Sequence, residues 1–200
     1  DVLVASPFLA YAGFQAGAVD LFSGAGGAVL VTVGGDKAGD HAGWSAIGLP
    51  DLDGDGRGDF AVGAIDADTS VSGAGRVRAH SGATGAVLHE WTGNLAFDGL
   101  GGSLAAAGDV DGDGVCDLLL GAWRADQQRG RVEVRSGASG ALIRQHFGNG
   151  PEDRLGHAVC GLGDLDGDGH ADYALGATQE GVGAGYVRVV SGASGALMLG

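Results

Sequence analysis

The chain has 200 residues, of which 43 are glycine and 44% are apolar, and its 25 acids against 11 bases give a net charge of −14. That glycine content disfavours long helices, because Gly costs about 1 kcal/mol per helical position relative to Ala, and the lack of a Gly-X-Y period excludes collagen. No apolar run approaches the ~18 residues of a membrane span, and so acidic a surface repels nucleic acid and anionic membranes while attracting divalent cations.

The chain opens at Asp1 without an initiator Met. No basic segment followed by an apolar one stands there, so no signal peptide is expected in this stretch, and a processed or truncated product is. Asp1-Val-Leu-Val-Ala-Ser-Pro7 reads as a short strand, followed by an apolar loop (Pro7, Phe8, Leu9, Tyr11, Phe14) and the turn Ser23-Gly-Ala-Gly-Gly27. Asp40 then precedes by eleven residues the acidic nonapeptide Asp51-Leu-Asp-Gly-Asp-Gly-Arg-Gly-Asp59.

From there the pattern returns. Strand-like runs at residues 60–65, 76–80 and 86–91 flank the turn Ser81-Gly-Ala-Thr-Gly85, and Asp98 announces a second nonapeptide, Asp109-Val-Asp-Gly-Asp-Gly-Val-Cys-Asp117. In this copy residues 104–110 lead into the loop, and Asp117-Leu-Leu-Leu-Gly-Ala-Trp123 is continuously apolar, as a strand covered on both faces is. Gly130-Arg-Val-Glu-Val-Arg-Ser136 alternates, with Val132 and Val134 on one face and Arg131, Glu133 and Arg135 on the other. The turn Ser136-Gly-Ala-Ser-Gly140 and a run at 141–147 complete it. Asp153 announces the third nonapeptide, Asp164-Leu-Asp-Gly-Asp-Gly-His-Ala-Asp172, with runs at 173–178, 186–190 and 196–199 around the turn Ser191-Gly-Ala-Ser-Gly195.

Three landmarks thus share one period of 55 to 58 residues. A four-stranded antiparallel unit of that length, repeated in tandem, predicts an all-β chain of β-propeller blades. Asp1 aligns with Asp59, Asp117 and Asp172, so the first unit lacks its first strand and the expected total is fifteen strands. The expected units are 1–35, 36–93, 94–149 and 150–200, forming one segment of an incomplete or partner-completed ring.

Each nonapeptide carries carboxylates at positions 1, 3, 5 and 9 and glycine at 4 and 6, so the three loops hold twelve of the 25 acids. Calcium takes six to eight oxygens, and a short loop supplies them from alternate side chains and a carbonyl at position 7. The predicted ligands are Asp51, Asp53, Asp55, the carbonyl of Arg57 and Asp59; Asp109, Asp111, Asp113, the carbonyl of Val115 and Asp117; and Asp164, Asp166, Asp168, the carbonyl of His170 and Asp172. Position 12 is Val62, Leu120 or Leu175 rather than the glutamate of an EF-hand, and no helix flanks the loops. Without Cys or His donors zinc is disfavoured, and magnesium demands a strict octahedron. Three bound Ca2+ would bring the charge from −14 to −8.

These motifs resemble the FG-GAP repeats of integrin α-subunit propellers and their bacterial relatives. The "FG" position is matched by Ala42-Gly43, Leu100-Gly101 and Leu155-Gly156, and "GAP" by Ala5-Ser-Pro7, Gly63-Ala-Ile65, Gly121-Ala-Trp123 and Gly176-Ala-Thr178. The resemblance implies a ring of seven blades, of which this chain would form about half, calcium in the acidic loops, and ligand binding on the opposite face. There the loops between second and third strands differ most: residues 6–17, 66–75, 124–130 and 179–185. The apolar first loop is expected either to pack on a neighbouring blade or to meet a partner; Trp123, Arg124 and Arg129 form the next contact set.

The reading is therefore a non-enzymatic, calcium-binding, extracellular module for adhesion or recognition, whose partners are a protein or glycan and further blades. A structural subunit of a surface layer, filament or matrix is one alternative; a lectin or an accessory to a polysaccharide-active enzyme is another. No nucleophile recurs beside the six histidines, which are expected at the surface or at strand ends. The two cysteines, Cys116 and Cys160, are expected as small buried thiols. Arg57-Gly58-Asp59 spells an integrin-recognition tripeptide, but Asp59 is committed to its loop.

Overall fold

A computed structural model describes residues 1–179 and 183–200; residues 180–182, within the fourth variable loop, lie outside the described residues. Fifteen strands are present among the described residues, and they divide between two compact units, Asp1–Gly102 and Ser103–Gly200. Unit 1 contains a three-stranded sheet, β1 (Val2–Ser6), β2 (Ala18–Phe22) and β3 (Val29–Gly34), and a four-stranded sheet, β4 (Ala42–Leu49), β5 (Asp59–Ala64), β6 (Arg76–His80) and β7 (Val87–Thr92). Unit 2 contains β8 (Ser103–Gly108), β9 (Asp117–Ala122), β10 (Arg131–Arg135) and β11 (Leu142–Phe147), then β12 (Leu155–Gly163), β13 (Asp172–Ala177), β14 (Tyr186–Val190) and β15 (Leu197–Leu199). Every sheet is an antiparallel meander in chain order, the topology of a propeller blade.

The core of each unit lies between its two sheets. In unit 1, Val19, Leu21 and Val31 of the first sheet meet Phe60, Val62 and Ala64 of the second. In unit 2, Leu119, Val132 and Val134 meet Leu155, Tyr173, Leu175 and Val190. The continuous apolar runs become second strands, and β5 and β9 are buried along their whole length. Each unit holds one equivalent serine clamp: Ser45 Oγ donates to Gly101 O and Ser103 Oγ to Gly156 O, each at 2.7 Å.

Alternation in β10 does not give an exposed polar face. Arg131 and Glu133 are buried together with Val132 and Val134. Burying Glu133 is tolerable because cations accompany it: Arg135 Nε donates at 2.9 Å and Arg131 Nε stands 3.2 Å away. Between β9 and β10 the chain makes one irregular turn, Ala125–Gln128, with Asp126, Gln127 and Gln128 at positive φ.

Candidate metal centres

Each acidic loop joins the first and second strands of a sheet, and its first aspartate organises it. Asp51 Oδ1 accepts the N–H groups of Gly54 (2.7 Å) and Asp55 (3.2 Å), and Oδ2 accepts that of Gly56 (2.7 Å). Asp109 receives Gly112 and Gly114, and Asp164 receives Gly167, Asp168 and Gly169. These backbone donors, Gly56 foremost, hold the Asp51 carboxyl below the usual carboxylate range. The pattern demands left-handed backbone at positions 4 and 6: φ is 81° at Gly54 and 86° at Gly56. Residues with a Cβ are disfavoured in that region.

The ninth aspartate is buried and joins two turns. Asp59 Oδ2 accepts Leu52 N–H (2.7 Å) and Oδ1 accepts Gly82 N–H (3.0 Å). Asp117 takes Val110 (2.7 Å) and Gly137 (3.0 Å), and Asp172 takes Leu165 (2.8 Å) and Gly192 (2.9 Å). The Ser-Gly-Ala-x-Gly turn therefore anchors the acidic loop, a role that sequence reading missed. Its signal was the narrow interval from ninth aspartate to turn glycine, 23 residues for Asp1–Gly24 and Asp59–Gly82, and 20 for Asp117–Gly137 and Asp172–Gly192. A Cβ on Gly82 would stand 2.0 Å from Gly58 O, and one on Gly192 2.0 Å from Ala171 O, so glycine is required there by close approach.

Positions 1, 3 and 9 converge. Asp51, Asp53 and Asp59, then Asp109, Asp111 and Asp117, then Asp164, Asp166 and Asp172 each offer carboxylate oxygens within 4.8 Å of one another. Position 5 lies outside these groups: Asp55, Asp113 and Asp168 accept the N–H of residue 7 (Arg57, Val115 and His170) at 2.8, 2.8 and 3.0 Å. Crowded carboxylates raise one another's pKa. Burial first, and then Asp111, push Asp117 up to about 6, against the lowering pull of its backbone donors. Desolvation and the neighbouring Asp168, Asp172 and Asp164 raise Asp166. An all-oxygen, anionic donor set of this kind suits a hard cation such as Ca2+ or Mg2+ and offers no soft ligand.

Other predicted residues take different places. Asp59 is 4% exposed with both oxygens engaged, so Arg57-Gly58-Asp59 cannot present its carboxylate. The recurrent aspartates close the connections into β4 and β12: Asp40 accepts Asp36 and Lys37 N–H, and Asp153 accepts Asn149 and Gly150 N–H. Asp98 does the same for Asn94 and Leu95. His80 ends β6, as expected of a strand-end histidine, but it is buried: it stacks on Phe60 at 5.3 Å, and desolvation lowers its pKa. Cys116 and Cys160 are free thiols, but Cys160 is exposed and Cys116 only half-buried, because both fall on strand or loop faces that point away from a core. On the side opposite the acidic loops, Phe8, Leu9, Tyr11 and Phe14 are 49–75% exposed. Trp123 carries Arg124 at 4.9 Å and Arg154 at 5.5 Å from its ring centroid; Arg129 lies instead over Phe147.

Residues 155–190 match the family model described as FG-GAP repeat. The chain is 38% identical over 98 residues to integrin alpha-4 of Xenopus laevis, covering 46% of this chain and 10% of that protein. It is 32% identical over 177 residues to integrin alpha-PS2 of Drosophila melanogaster, covering 76% and 12%. Integrin alpha-5 of Xenopus laevis is 29% identical over 180 residues, covering 80% and 17%. The chain thus spans between a tenth and a fifth of the length of these relatives. Among solved structures, the rhamnogalacturonan lyase YesW superposes with a TM-score of 0.52 at 17% identity, covering 92% of this chain and 44% of the lyase. The rhamnogalacturonan lyase PL11 of Bacillus licheniformis gives 0.52 at 14% identity, with the same coverage. At such identities the likeness is one of fold.

Proposed function

Because the chain carries an FG-GAP repeat and is similar to integrin α-subunits over as much as four fifths of its length, we propose that it is a calcium-binding, extracellular adhesion or recognition module without enzymatic activity. The observation that carries this reading is the threefold recurrence of one constellation, in which the carboxylates of positions 1, 3 and 9 converge. In each loop the aspartates at positions 1, 3, 5 and 9 and the carbonyl at position 7 hold one Ca2+. Its role is structural: it neutralises the crowded carboxylates and fixes the turn between the first two strands.

Residues 1–35, 36–93, 94–149 and 150–200 are the repeat units of this module. Recognition of a protein or glycan belongs to the loops opposite the acidic ones, where Phe8 and Phe14 are exposed and the Arg124 guanidinium lies over the Trp123 ring. No helix among the described residues is long and apolar enough to cross a membrane.

Calorimetric titration of chelator-treated protein with Ca2+ tests the metal assignment. Three sites are expected, and D53N, D111N and D166N are each expected to remove one. Position 3 is the place to substitute because its carboxylate has fewer backbone partners than position 1 or 9. A chain that binds no Ca2+, or variants that leave the stoichiometry at three, would overturn it.

A further inference from the structure

Within unit 2 the two acidic loops touch, and two peptide groups join them in series. The peptide between His170 and Ala171 donates its N–H to the carbonyl of Asp109 at 2.7 Å. The peptide between Asp109 and Val110 donates its own N–H to Asp117 Oδ2, also at 2.7 Å. Both groups are planar and stiff, so a shift of residues 170–171 is passed on to the ninth aspartate of the other loop. At the near end stands Asp172, the ninth aspartate of loop 164–172, covalently next to Ala171.

The side chain of His170 doubles the link. Its Nδ1 lies 2.9 Å from Val110 O, and because a carbonyl only accepts, that nitrogen carries the proton. The imidazole also lies against the turn of the other loop: a Cβ on Gly112 would stand 2.9 Å from His170 Cε1. Below these contacts Val110 is 1% exposed and packs with Ala171, Tyr173 and Val190, which seats the joint on the core. Position 7 is expected to serve a cation through its carbonyl alone, and it holds Arg57 and Val115 in the other loops. Cation chemistry therefore leaves the imidazole available for a second task.

We propose that His170, with the Ala171 N–H, makes the two acidic loops of unit 2 one cooperative element, so that ordering either loop orders the other and cations bind the pair with positive cooperativity. Electrostatics acts in the opposite sense. The two loops hold eight aspartates, and a cation in one loop weakens the field that attracts a second, an effect that salt screens. The hydrogen-bonded link is a contact and survives salt. One hydrogen bond of ordinary net strength shifts an equilibrium by roughly twofold to tenfold, so two that form only as both loops order give a coupling of about fivefold or more. That the coupled ligands are Ca2+ rests on the calcium reading above; the joining of the loops does not.

The test uses the full chain in 500 mM salt with D53N in every variant, which leaves the two loops of unit 2 to titrate. Ca2+ affinities of the chain with both loops intact are compared with those of the D111N and D166N chains, each of which keeps one. The pair should bind about fivefold or more tighter than the product of the single-loop affinities. H170A should abolish that excess, and H170N, whose amide donates from nearly the same place, should restore it. Any effect of H170A on one loop alone cancels in the ratio, so a merely structural role would not move it. With chelator present, amide exchange of Val110 in the other loop should also speed up in H170A and recover in H170N. A ratio of one or below, or an equal ratio in H170A, would overturn the cooperative binding while leaving the calcium reading intact. If no variant binds Ca2+, the calcium reading fails, and the joining of the loops stands or falls on the Val110 exchange in H170A.

Discussion

Individual residues here carry roles that their chemistry alone does not announce. His146 is the clearest pH-sensitive case: burial, with help from Arg144 and Arg188, pushes it down to about 4, and its Nε2 faces Tyr173 Oη at 2.8 Å. A histidine whose folded pKa lies below its unfolded value of about 6.5 binds protons more readily when unfolded. Its contribution is therefore intact above about pH 6.5 and is lost progressively as pH falls toward 4. Urea unfolding at pH 7 and pH 4.5 should show a smaller loss for H146Q than for the parent chain. The difference between the two proteins isolates His146 from Asp117, whose raised pKa acts in the opposite direction when no cation is bound. Asp1 shows the limit of reading by composition: it looks like a terminal acid but accepts the Gly24 N–H as its three counterparts accept theirs.

At the scale of elements, the second strands and the turns that brace them concentrate the stability. Leu119 of β9 is fully buried in the unit 2 core. Leu119→Ala should cost about 2–5 kcal/mol in denaturant unfolding, the range for buried leucines that leave a cavity. The turn glycine is a second point of failure. Gly192→Ala places a Cβ 2.0 Å from Ala171 O, and because that oxygen is backbone, the turn or the loop must shift. We expect a loss of about 1–3 kcal/mol, typical of overpacking, together with weaker cation binding in loop 164–172, read by thermal melts and calcium titration of the same variant. The four-strand pattern and the apolar middle strands were legible because strand periodicity and turn glycines are local signals. The burial of Glu133 was not, since alternation records which residues share a face and not whether that face is covered.

For the whole molecule the dominant quantity is charge. Twelve of 25 acids lie in three short loops of a chain with net charge −14. If the loops hold Ca2+ as proposed, chelation should therefore lower the melting temperature, and lower it more in 10 mM salt than in 500 mM salt. The repulsion unmasked by removing the cations is screened over about 30 Å in the first case and a few ångströms in the second. Equal shifts at both ionic strengths would mean that the ions act through coordination geometry and not through charge neutralisation.

Repetition let the sequence alone establish the blade-like unit, the four-strand order, the three strands of the opening sheet and the aspartates of each loop. All of these depend on local spacing that recurs along the chain. Only the tertiary structure decided which carboxylates converge, that positions 1, 3 and 9 do while position 5 turns to its own backbone, and that Gly82, Gly137 and Gly192 hold the ninth aspartate from across the sheet. It alone buried His80 against Phe60. For the anchors and the burial the physical reason is one of range, since they depend on contacts between segments 20 or more residues apart, such as Asp59 with Gly82; within each nonapeptide it is that spacing lists the carboxylates without saying which of them the loop's own backbone N–H groups engage.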